Sequence, residues 1–454
     1  MKPRHALGTL AGLAIVGLAL QGCSAATPSS PTKSAAEKID GTGKTINVMV
    51  AANGLYPEQQ KTWFTEVSDQ FEKETGAKVA FETFASANDE LTKIQTSVLS
   101  GQGPDVYSLG TTFTPTAYST GAFVELTDKE WGEVGGKDRF VASTLGISGP
   151  DSDHEVGIPF ASRPFVMAYN TELLEAAGIS KPPTTWDDLT ADAKKLTTGD
   201  VHGLAIGYAD GFDPWKFIWG MSIQAGNPIL NLDKGKAQID VDSTEKAYQT
   251  YFDWYAKDKV VDPAALGWKN AQAVAAFADG KAAFVPMVSA TSRVTLDKSP
   301  VAGKYAYALM PTIPPGEKST PKGGKPASSI ISGDNMVVAK YSQNQDLAFA
   351  LIKMLTSQEN QTSYYNTFGD LPTNADAAKA VQEGDELLKP VLESSSKAVG
   401  TPFSGAWGDT QLALTNVVVQ SLPALQGGGV GSSDLEAALQ TAQSSAQASL
   451  DKAK

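Results

Sequence analysis

Residues 45–51 read TINVMVA, and apolar side chains at every second position predict a β-strand with one buried face. Residues 57–76 then carry apolar side chains at helical spacing and end in glycine, which predicts a helix and its stop. Two further strands are predicted at 79–81 and 104–109, with a helix at about 91–101 between them. This β-α-β-α-β order predicts a mostly parallel sheet covered by helices.

Polar residues follow each of the three predicted strands. Ligands of such sheets bind beyond the carboxyl ends of the strands, so we expect these side chains to share one rim of the sheet. Ordinary loop polarity is the alternative for each residue taken singly. The residues are Asn53, Tyr56, Ser86, Asn88, Thr111 and Thr112.

The composition sets the scale of the fold and excludes one class of partner. With 454 residues, of which 41% are hydrophobic, the chain can bury one large core or two moderate ones, so two lobes are expected. The formal net charge of -13 repels phosphate backbones and anionic lipid. No block of lysines and arginines with interleaved aromatics occurs, and we therefore expect no nucleic-acid partner.

The first residues have the pattern of an export signal. Lys2 and Arg4 precede residues 6–20, an uncharged run that is too short as a helix to cross a hydrocarbon core of ~30 Å. Residues 20–23, LQGC, look like a bacterial lipobox, in which the signal is cleaved before a lipid-carrying cysteine. An incidental thiol is the alternative interpretation of Cys23.

These features predict a lipid-anchored protein on the extracytoplasmic face of a bacterial cell membrane, which it touches only through the anchor. Residues 1–22 are the predicted signal peptide, and residues 23–44 form a lipidated flexible tether rich in Ser, Ala, Thr and Pro. Cys23 is the only cysteine in the sequence, so no disulfide and no cysteine-based metal site are expected.

Several segments of the body together resemble one family, the bacterial extracellular solute-binding proteins of the maltose-binding type (family 1). GIPF at 157–160, continued by VMAYN at 166–170, is similar to the crossover strand and helix of that family. The resemblance covers about residues 45–454. Further matching residues stand in the family's order: Gly103, Pro104, Asp105, Val106, Gly178, Ile179, Pro182, Pro183, Trp186, Phe277, Gly280, Pro311, Asn335, Gly369, Leu371, Pro372 and Trp407.

The resemblance implies a two-lobed α/β fold, as in periplasmic binding proteins, with a central mostly parallel sheet in each lobe. Two or three crossing segments would join the lobes, and the ligand would bind in a hinged cleft between them. The implied first lobe is 45–158 plus 333–372, and the second is 159–332 plus 373–454. A ligand then acts by binding the closed state better than the open one.

The resemblance also implies a function. The chain would be the monomeric substrate-binding component of an ABC importer, which captures a sugar or short oligosaccharide and delivers it to permease subunits in the membrane. Pyranose rings offer apolar faces and a girdle of hydroxyls, so the cleft is expected to hold aromatic platforms and polar side chains.

Four tryptophans are candidates for such platforms. Trp215 and Trp219 stand four residues apart on a predicted helix that follows Asp213, and they share one face of it. A position in the core is the alternative for this face, above all for Trp219. Trp268 lies in a predicted loop, where binding residues are common. Trp407 falls where the resemblance places a stacking tryptophan.

Other candidates lie on the segments that the resemblance places between the lobes. Ser162 and Arg163 would stand at the cleft floor, where Arg163 could fork two hydrogen bonds to a ligand or pair with an acid of the first lobe. Asp334 and Asn335 replace the commoner Gly-Gly of the return crossing, which implies a side chain in the cleft. Ser289 stands where relatives often carry Gly-Trp, and this departure weakens the case for a long stacked oligosaccharide.

No cofactor, metal or catalytic residue is expected. The sequence has three histidines, no Gly-x-Ser-x-Gly, and a Ser-x-x-Lys at 394–397 without its Lys-Thr-Gly companion. Two classes of function remain: a non-catalytic binding protein, and a surface glycoside hydrolase with paired carboxylates, whose spacing a sequence does not show. Within the first class, a peptide, polyamine or other polar solute is the alternative to a sugar.

Overall fold

The computed structural model describes residues 39–453. The predicted signal peptide, the lipidation at Cys23 and most of the predicted tether lie outside the described residues. Within the described range, no helix has both the length and the apolar character needed to cross a membrane.

The strands of the described chain belong to two main sheets and one small hairpin. They are β1 (Thr45–Ala51), β2 (Lys78–Phe84), β3 (Val106–Gly110), β4 (Ile158–Ser162), β5 (Val166–Asn170), β6 (His202–Leu204), β7 (Leu230–Asn231), β8 (Lys236–Ala237), β9 (Ala282–Val288), β10 (Tyr305–Ala308), β11 (Gly333–Val338) and β12 (Leu371–Pro372).

Helices cover both sheets. They are α1 (Pro57–Thr75), α2 (Ala87–Ser100), α3 (Thr114–Ser119), α4 (Asp128–Glu133), α5 (Thr171–Ala176), α6 (Trp186–Leu196), α7 (Pro214–Gln224), α8 (Asp242–Ala256), α9 (Asn270–Ala278), α10 (Arg293–Leu296), α11 (Gln345–Leu355), α12 (Gln358–Phe368), α13 (Ala375–Gln382), α14 (Lys389–Ser396), α15 (Trp407–Gln426) and α16 (Ser432–Lys452). Short 3-10 turns lie at Thr111–Phe113, Lys137–Arg139, Ala142–Ile147, Pro263–Gly267, Ala290–Ser292 and Glu386–Leu388.

The first sheet has the strand order β12-β4-β11-β3-β1-β2. β1 runs parallel to β2 and to β3, whereas β11 runs antiparallel to both β3 and β4, so that β4 regains the direction of β3. Ile46 and Val48 pack on one face of the sheet and Met49 on the other, because side chains alternate along a strand.

The second sheet has the strand order β10-β5-β9-β6. β9 is parallel to β6, and β5 runs antiparallel to both of its neighbours. Both sheets are therefore mixed. In the first sheet β11 and β12 oppose the other four strands, and in the second sheet β5 opposes the other three. The predicted two-lobed α/β fold is confirmed, with more antiparallel pairing than the sequence suggested.

The strand pairing also bears on the lobe boundaries. All of β4 lies in the first sheet, although the sequence placed 159–162 in the second lobe. Thr373 donates through Oγ1 to the Pro159 carbonyl at 2.8 Å, and α13 packs against α12, whereas α14 packs against β5 and β10. We therefore propose that the lobes are 39–162 plus 333–382 and 163–332 plus 383–453.

Candidate functional site

A cavity of about 600 Å³ lies between the two sheets, and residues of both lobes line it. The first lobe contributes the carboxyl ends of β1 and β3, the first turns of α1 and α2, and part of β11. The second lobe contributes the loop before α7, the start of α9, the end of β9 and the second turn of α15. We call this cavity the cleft.

The predicted rim residues divide into two groups. Asn53, Tyr56, Thr111 and Thr112 line the cleft, as expected for residues beyond the carboxyl ends of strands. Ser86 and Asn88 do not line it. Ser86 instead caps α2, because its hydroxyl accepts from the Asp89 N–H at 3.2 Å.

Asn53 and Thr111 also have structural partners. The Asn53 Oδ1 accepts hydrogen bonds from the N–H groups of Leu55 and Tyr56, at 3.0 and 2.8 Å, and so shapes the loop after β1. Thr111 donates through Oγ1 to the Ile331 carbonyl at 2.9 Å, which ties the end of β3 to the return crossing. These side chains therefore hold the wall of the cleft as well as facing it.

Arg163 pairs with two acids at the base of the cleft. Its Nε donates to Asp370 Oδ1 at 2.5 Å, and both of its terminal nitrogens donate to the two oxygens of Asp334, one at 3.0 Å. Arg163 follows β4, Asp334 lies on β11 and Asp370 precedes β12, so the three charges join the strands next to the crossings. Of the two roles expected for Arg163, the structure shows the ion pair with first-lobe acids.

Burial raises the pKa of Asp370 to about 6, and the nearby Asp334 carboxylate adds to the rise against the favourable charge of Arg163. Asp370 is 3% exposed. The loss of hydration raises its pKa by more than the ion pair with Arg163 lowers it.

Glu90 is a cleft residue that the sequence did not reveal. It lies on α2, is 1% exposed, and its Oε1 accepts from the Gly110 N–H at 3.0 Å. Burial raises the pKa of Glu90 well above its usual range, and the charge of Asp334 raises it further. The raised pKa favours the protonated form of Glu90, in which the carboxyl group can donate as well as accept.

The second lobe places a further pair of acids at the cleft. Asp213, a predicted site residue, lines the cleft and pairs with Lys216 at 2.6 Å. Asp210 accepts from three backbone N–H groups, those of Phe212, Asp213 and Asn270, at 2.7 to 3.1 Å. Burial raises the pKa of Asp210, and the nearby Asp213 charge contributes.

The structure corrects the prediction for Trp407. It is fully buried at 0% exposure, does not line the cleft, and packs edge-on against Trp215 with ring centroids 5.8 Å apart. Trp215 does line the cleft, although it is only 2% exposed, and Trp219 lies in the core. Trp268 is half-buried between two apolar clusters and does not line the cleft. α7 is buried on nearly every side. A face shared by Trp215 and Trp219 therefore does not predict that either ring is exposed to the cleft.

Among the first-lobe aromatic residues that line the cleft are Trp63 and Tyr364. Their rings meet edge to face with centroids 5.3 Å apart, and both are partly exposed. Trp63 could have been suspected from its place near the start of α1, but its helical spacing with Val67 and Phe71 indicated core. Tyr364 carried no local signal that separates a cleft residue from a packed one.

Ser162 and Asn335, two predicted site residues, lie elsewhere. Both line a second, small cavity of about 10 Å³ at the crossing segments, which Thr111 also borders. Asn335 is 1% exposed and donates through Nδ2 to Thr114 Oγ1 at 3.0 Å. Asn335 therefore lies at the crossing segments, whereas its neighbour Asp334 does line the cleft. The alternation of side chains along β11 separates the two.

Ser289 lines the cleft, where its hydroxyl caps the short turn that follows β9. Among residues 39–453, no group of three histidine, cysteine, aspartate or glutamate side chains is placed to hold a metal ion.

Comparisons with known proteins agree with this architecture. A family model described as bacterial extracellular solute-binding protein matches residues 56–362. The diacetylchitobiose binding protein DasA of Streptomyces coelicolor is 25% identical over 399 residues, which is 87% of this chain and 88% of DasA. A maltooligosaccharide ABC transporter solute-binding lipoprotein of Streptococcus pneumoniae is 23% identical over 92% of each chain.

Solved structures share the fold. An ABC transporter solute-binding protein from Agrobacterium radiobacter, in complex with ribitol, superposes with a TM-score of 0.74 at 22% identity. The match covers 90% of this chain and 99% of that one.

Proposed function

Since this chain belongs to the bacterial extracellular solute-binding protein family, we propose that it captures a sugar or short oligosaccharide in the cleft and delivers it to an ABC importer. The observation that carries this proposal is the cleft itself, to which both lobes contribute polar and aromatic side chains. A ligand that contacts both lobes binds the closed state more tightly than the open one, and so favours closure.

The lining of the cleft suits a saccharide. Trp63 and Tyr364 offer aromatic surface for the C–H faces of a pyranose, and Glu90, Asp213 and Gln411 offer polar groups for its hydroxyls. The names of two relatives point the same way, because one binds diacetylchitobiose and the other is assigned to maltooligosaccharides. These names support a ligand of the same chemical class for this chain.

A glycoside hydrolase is the competing function, and the state of the cleft acids argues against it. Hydrolysis requires two carboxyl groups free to face the scissile bond. Asp334 and Asp370 are held by Arg163, and Asp213 is held by Lys216. Asp210 accepts hydrogen bonds from three backbone N–H groups, and Glu90, which accepts from the Gly110 N–H, is the one acid lining the described cleft with neither an ion pair nor several such bonds.

A polyamine is the second candidate ligand, and one observation favours it. The residues that line the cleft include five acids, Glu90, Asp210, Asp213, Asp334 and Asp370, but three basic residues, Arg163, Lys216 and Lys269. A cationic solute would be attracted by this excess of acids. The aromatic surface and the burial of Glu90, which raises the pKa of its carboxyl, favour the sugar.

The partners and location follow from the same proposal. The protein acts as a monomer, tethered through lipid on Cys23 to the extracytoplasmic face of the membrane, next to permease subunits that receive the solute. Replacing Cys23 by serine should release the protein from the membrane fraction and abolish palmitate labelling. Retention of both would refute the anchor without affecting the assignment of the cleft.

Thermal unfolding against a panel of oligosaccharides, polyols, peptides and polyamines tests the proposed function. A ligand at a hundredfold excess over its Kd stabilises the protein by about 2.7 kcal/mol, which is readily resolved as a rise in Tm. A sugar that raises Tm and is recovered intact supports the proposal. A rise with a polyamine alone would move the assignment to the second candidate, and recovery of a cleaved sugar would favour the hydrolase.

A further inference from the structure

Three acids of the first lobe meet around one arginine at the base of the cleft. Asp334 lies directly opposite Gly110 where β11 pairs with β3, and Glu90 accepts from the N–H of the same Gly110 at 3.0 Å. Residues paired in this way have Cα atoms about 4.5–5.5 Å apart, so Glu90 and Asp334 are neighbours. Asp370 joins them through the arginine that it shares with Asp334, Arg163. We call Glu90, Asp334 and Asp370, which all line the cleft, the acid cluster.

The acid cluster has fewer positive charges than carboxyl groups. Arg163 donates through Nε to Asp370 and through its terminal nitrogens to Asp334. No lysine or arginine within residues 39–453 forms an ion pair with Glu90. Three carboxyl groups therefore share one guanidinium, and a buried carboxylate without a counter-charge is costly.

The carboxyl of Glu90 opens into the cleft. Its Oε1 is bonded to Gly110, whereas its Oε2 has no hydrogen-bond partner in the described chain and keeps a small exposed area. A Cβ at Gly110 would lie 4.0 Å from both carboxyl oxygens, and Gly110 lines the cleft as Glu90 does. The exposed area of Oε2 therefore belongs to the cleft wall, where a bound solute can reach it.

The second lobe does not supply the missing cation. Lys216 is bound by Asp213 at 2.6 Å and lies over the Phe165 ring, 4.5 Å from its centroid. Lys269 is exposed at the edge of the cleft. Without a cation beside it, Glu90 has its pKa raised well above the usual range by burial, with the charge of Asp334 adding to the rise. A proton on the carboxyl then takes the place of the missing charge.

Aromatic surface lies next to the acid cluster. Trp63 and Tyr364 line the same cleft, with ring centroids 5.3 Å apart. Burial raises the pKa of the Tyr364 hydroxyl, and the nearby charge of Asp370 raises it further, so this ring borders the cluster. A ligand with both an apolar sugar face and a positive charge would satisfy the rings and the acids together.

We propose that the cleft selects saccharides that carry a free ammonium group, and that Glu90 receives this group through its Oε2. The inference rests on the proposed function and names the class of saccharide. The ammonium group supplies the charge that Arg163 leaves unmatched, and it favours the ionised carboxylate of Glu90. An acetylated amino sugar lacks that charge, because an amide nitrogen is neutral.

Two disaccharides that differ only in acetylation test the proposal. They are the glucosamine disaccharide and N,N′-diacetylchitobiose, titrated calorimetrically at pH 6, where primary amines are protonated. The glucosamine disaccharide should bind the wild type at least about tenfold more tightly, as expected for a charge-assisted hydrogen bond. Equal binding of the two, or tighter binding of the acetylated sugar, would overturn the proposal.

Glu90→Gln shows whether Glu90 is the source of that preference. The amide keeps an acceptor for the Gly110 N–H and removes the charge at nearly constant volume. Affinity for the glucosamine disaccharide should fall about tenfold or more, whereas that for N,N′-diacetylchitobiose should change by less than about threefold. A preference for the free amine that persists in Glu90→Gln would contradict the role of Glu90.

Glu155→Gln is the matched control for the change in net charge. Glu155 is also deeply buried, at 3% exposure, but it lies outside the cleft and is bound by Lys137 at 2.7 Å and by the Trp131 Nε1 at 3.1 Å. Both disaccharides should bind Glu155→Gln as they bind the wild type. An equal loss of affinity in Glu155→Gln and Glu90→Gln would assign the effect to the overall charge of the protein, and the proposal would fall.

Unfolding of the ligand-free variants at pH 8 provides a test that does not depend on the ligand. Glu90→Gln should melt no lower than wild type, because it removes a carboxyl that has no counter-charge. Glu155→Gln should melt lower, because it leaves Lys137 without its partner. If Glu90→Gln falls as far as Glu155→Gln, the carboxylate of Glu90 is structural and the proposal is wrong.

The proposed function and this inference fail in different ways. If no saccharide binds the wild type, the proposed function is wrong, and the ligand-free comparison still decides the role of Glu90. If maltotriose binds and the glucosamine disaccharide does not, the proposed function stands and the selection of an ammonium group is rejected.

Discussion

The hydroxyl of Tyr56, on the first lobe, donates a hydrogen bond to the backbone carbonyl of Thr291, on the second lobe, at 2.5 Å. The Thr295 hydroxyl lies 3.1 Å from the hydroxyl oxygen of Tyr56. Gly369 approaches the same turn, and a Cβ at this position would lie 2.8 Å from the Ala290 carbonyl oxygen. The absence of a side chain at Gly369 therefore permits the two lobes to meet at this turn, and Tyr56 bonds them there.

Tyr56→Phe should weaken closure of the lobes. The ring remains buried, but the hydrogen bond between the lobes is lost, which disfavours the closed state by about 1 kcal/mol and weakens ligand binding about fivefold. Calorimetry and the radius of gyration from solution scattering measure these changes. Tyr208→Phe is the control, because Tyr208 donates to the Tyr251 carbonyl within one lobe. It should lower Tm without altering the radius of gyration, and an identical response of both variants would contradict the prediction.

Arg163→Met should be strongly destabilising. Removing the guanidinium leaves Asp334 and Asp370 buried without a counter-charge, for which a loss of about 3–5 kcal/mol is expected. Urea unfolding at pH 7 measures the change. Arg293→Met is the comparison, since Arg293 pairs with the more exposed Asp297 and Asp385, and a loss of about 1 kcal/mol or less is expected. Equal losses in the two variants would show that Arg163 has no special role at the crossing strands.

The pH dependence of the free energy of unfolding should reveal the raised pKa of Asp370. Burial raises its folded-state pKa to about 6, whereas the unfolded value is about 3.9. The folded protein then binds the proton more tightly, so this contribution to stability is complete below pH ~3.9 and is lost as the pH rises through about 6. The loss amounts to at most about 3 kcal/mol.

Asp370→Asn isolates that contribution. The variant loses an ion pair and is expected to be less stable overall, so the measured quantity is the change of unfolding free energy between pH 4 and pH 6.5. The decrease over that range should be smaller in Asp370→Asn than in wild type. Identical pH profiles would contradict a raised pKa for Asp370.

Trp407→Ala should cost stability more than affinity. Trp407 is fully buried against Trp215, and truncating a buried tryptophan costs about 3–5 kcal/mol. Trp63→Ala is the counterpart, because Trp63 is partly exposed and lines the cleft, and it should lose more ligand affinity than stability. Urea unfolding and calorimetric titration of both variants measure the two quantities. Loss of binding in Trp407→Ala with unchanged ligand-free stability would restore its predicted stacking role.

Elements with a strong local signal could be predicted from the sequence. The strand predicted at 45–51 has the bounds of β1, and the helix predicted to stop at Gly76 ends there, with Gly76 at φ 80° donating its N–H to the Glu72 carbonyl. Both signals are local, because strand alternation and a left-handed glycine involve only neighbours in the chain. Asn53, Tyr56, Thr111 and Thr112 line the cleft for a related reason, since parallel strands place their carboxyl ends together.

The ion pairs of Arg163 could not be predicted with their partners. Asp334 and Asp370 follow it by 171 and 207 residues, and no periodicity connects such distances. The sequence offered a ligand contact and a structural ion pair as equal alternatives. The pairing of β4 with β11 and β12 brings the three side chains together and selects the second.

The sequence by itself determined the export pattern, the β-α-β-α-β start and the order of segments that identifies the family, because each depends on composition and local spacing. The tertiary structure decided which aromatic side chains reach the cleft and which acids are already paired. α7 and α15 are buried on several faces, so their hydrophobic pattern does not distinguish a cleft from a core. Trp407 therefore lies in the core and Gln411 at the wall of the cleft, because the packing of α15 against both lobes determines which of its turns borders the cavity.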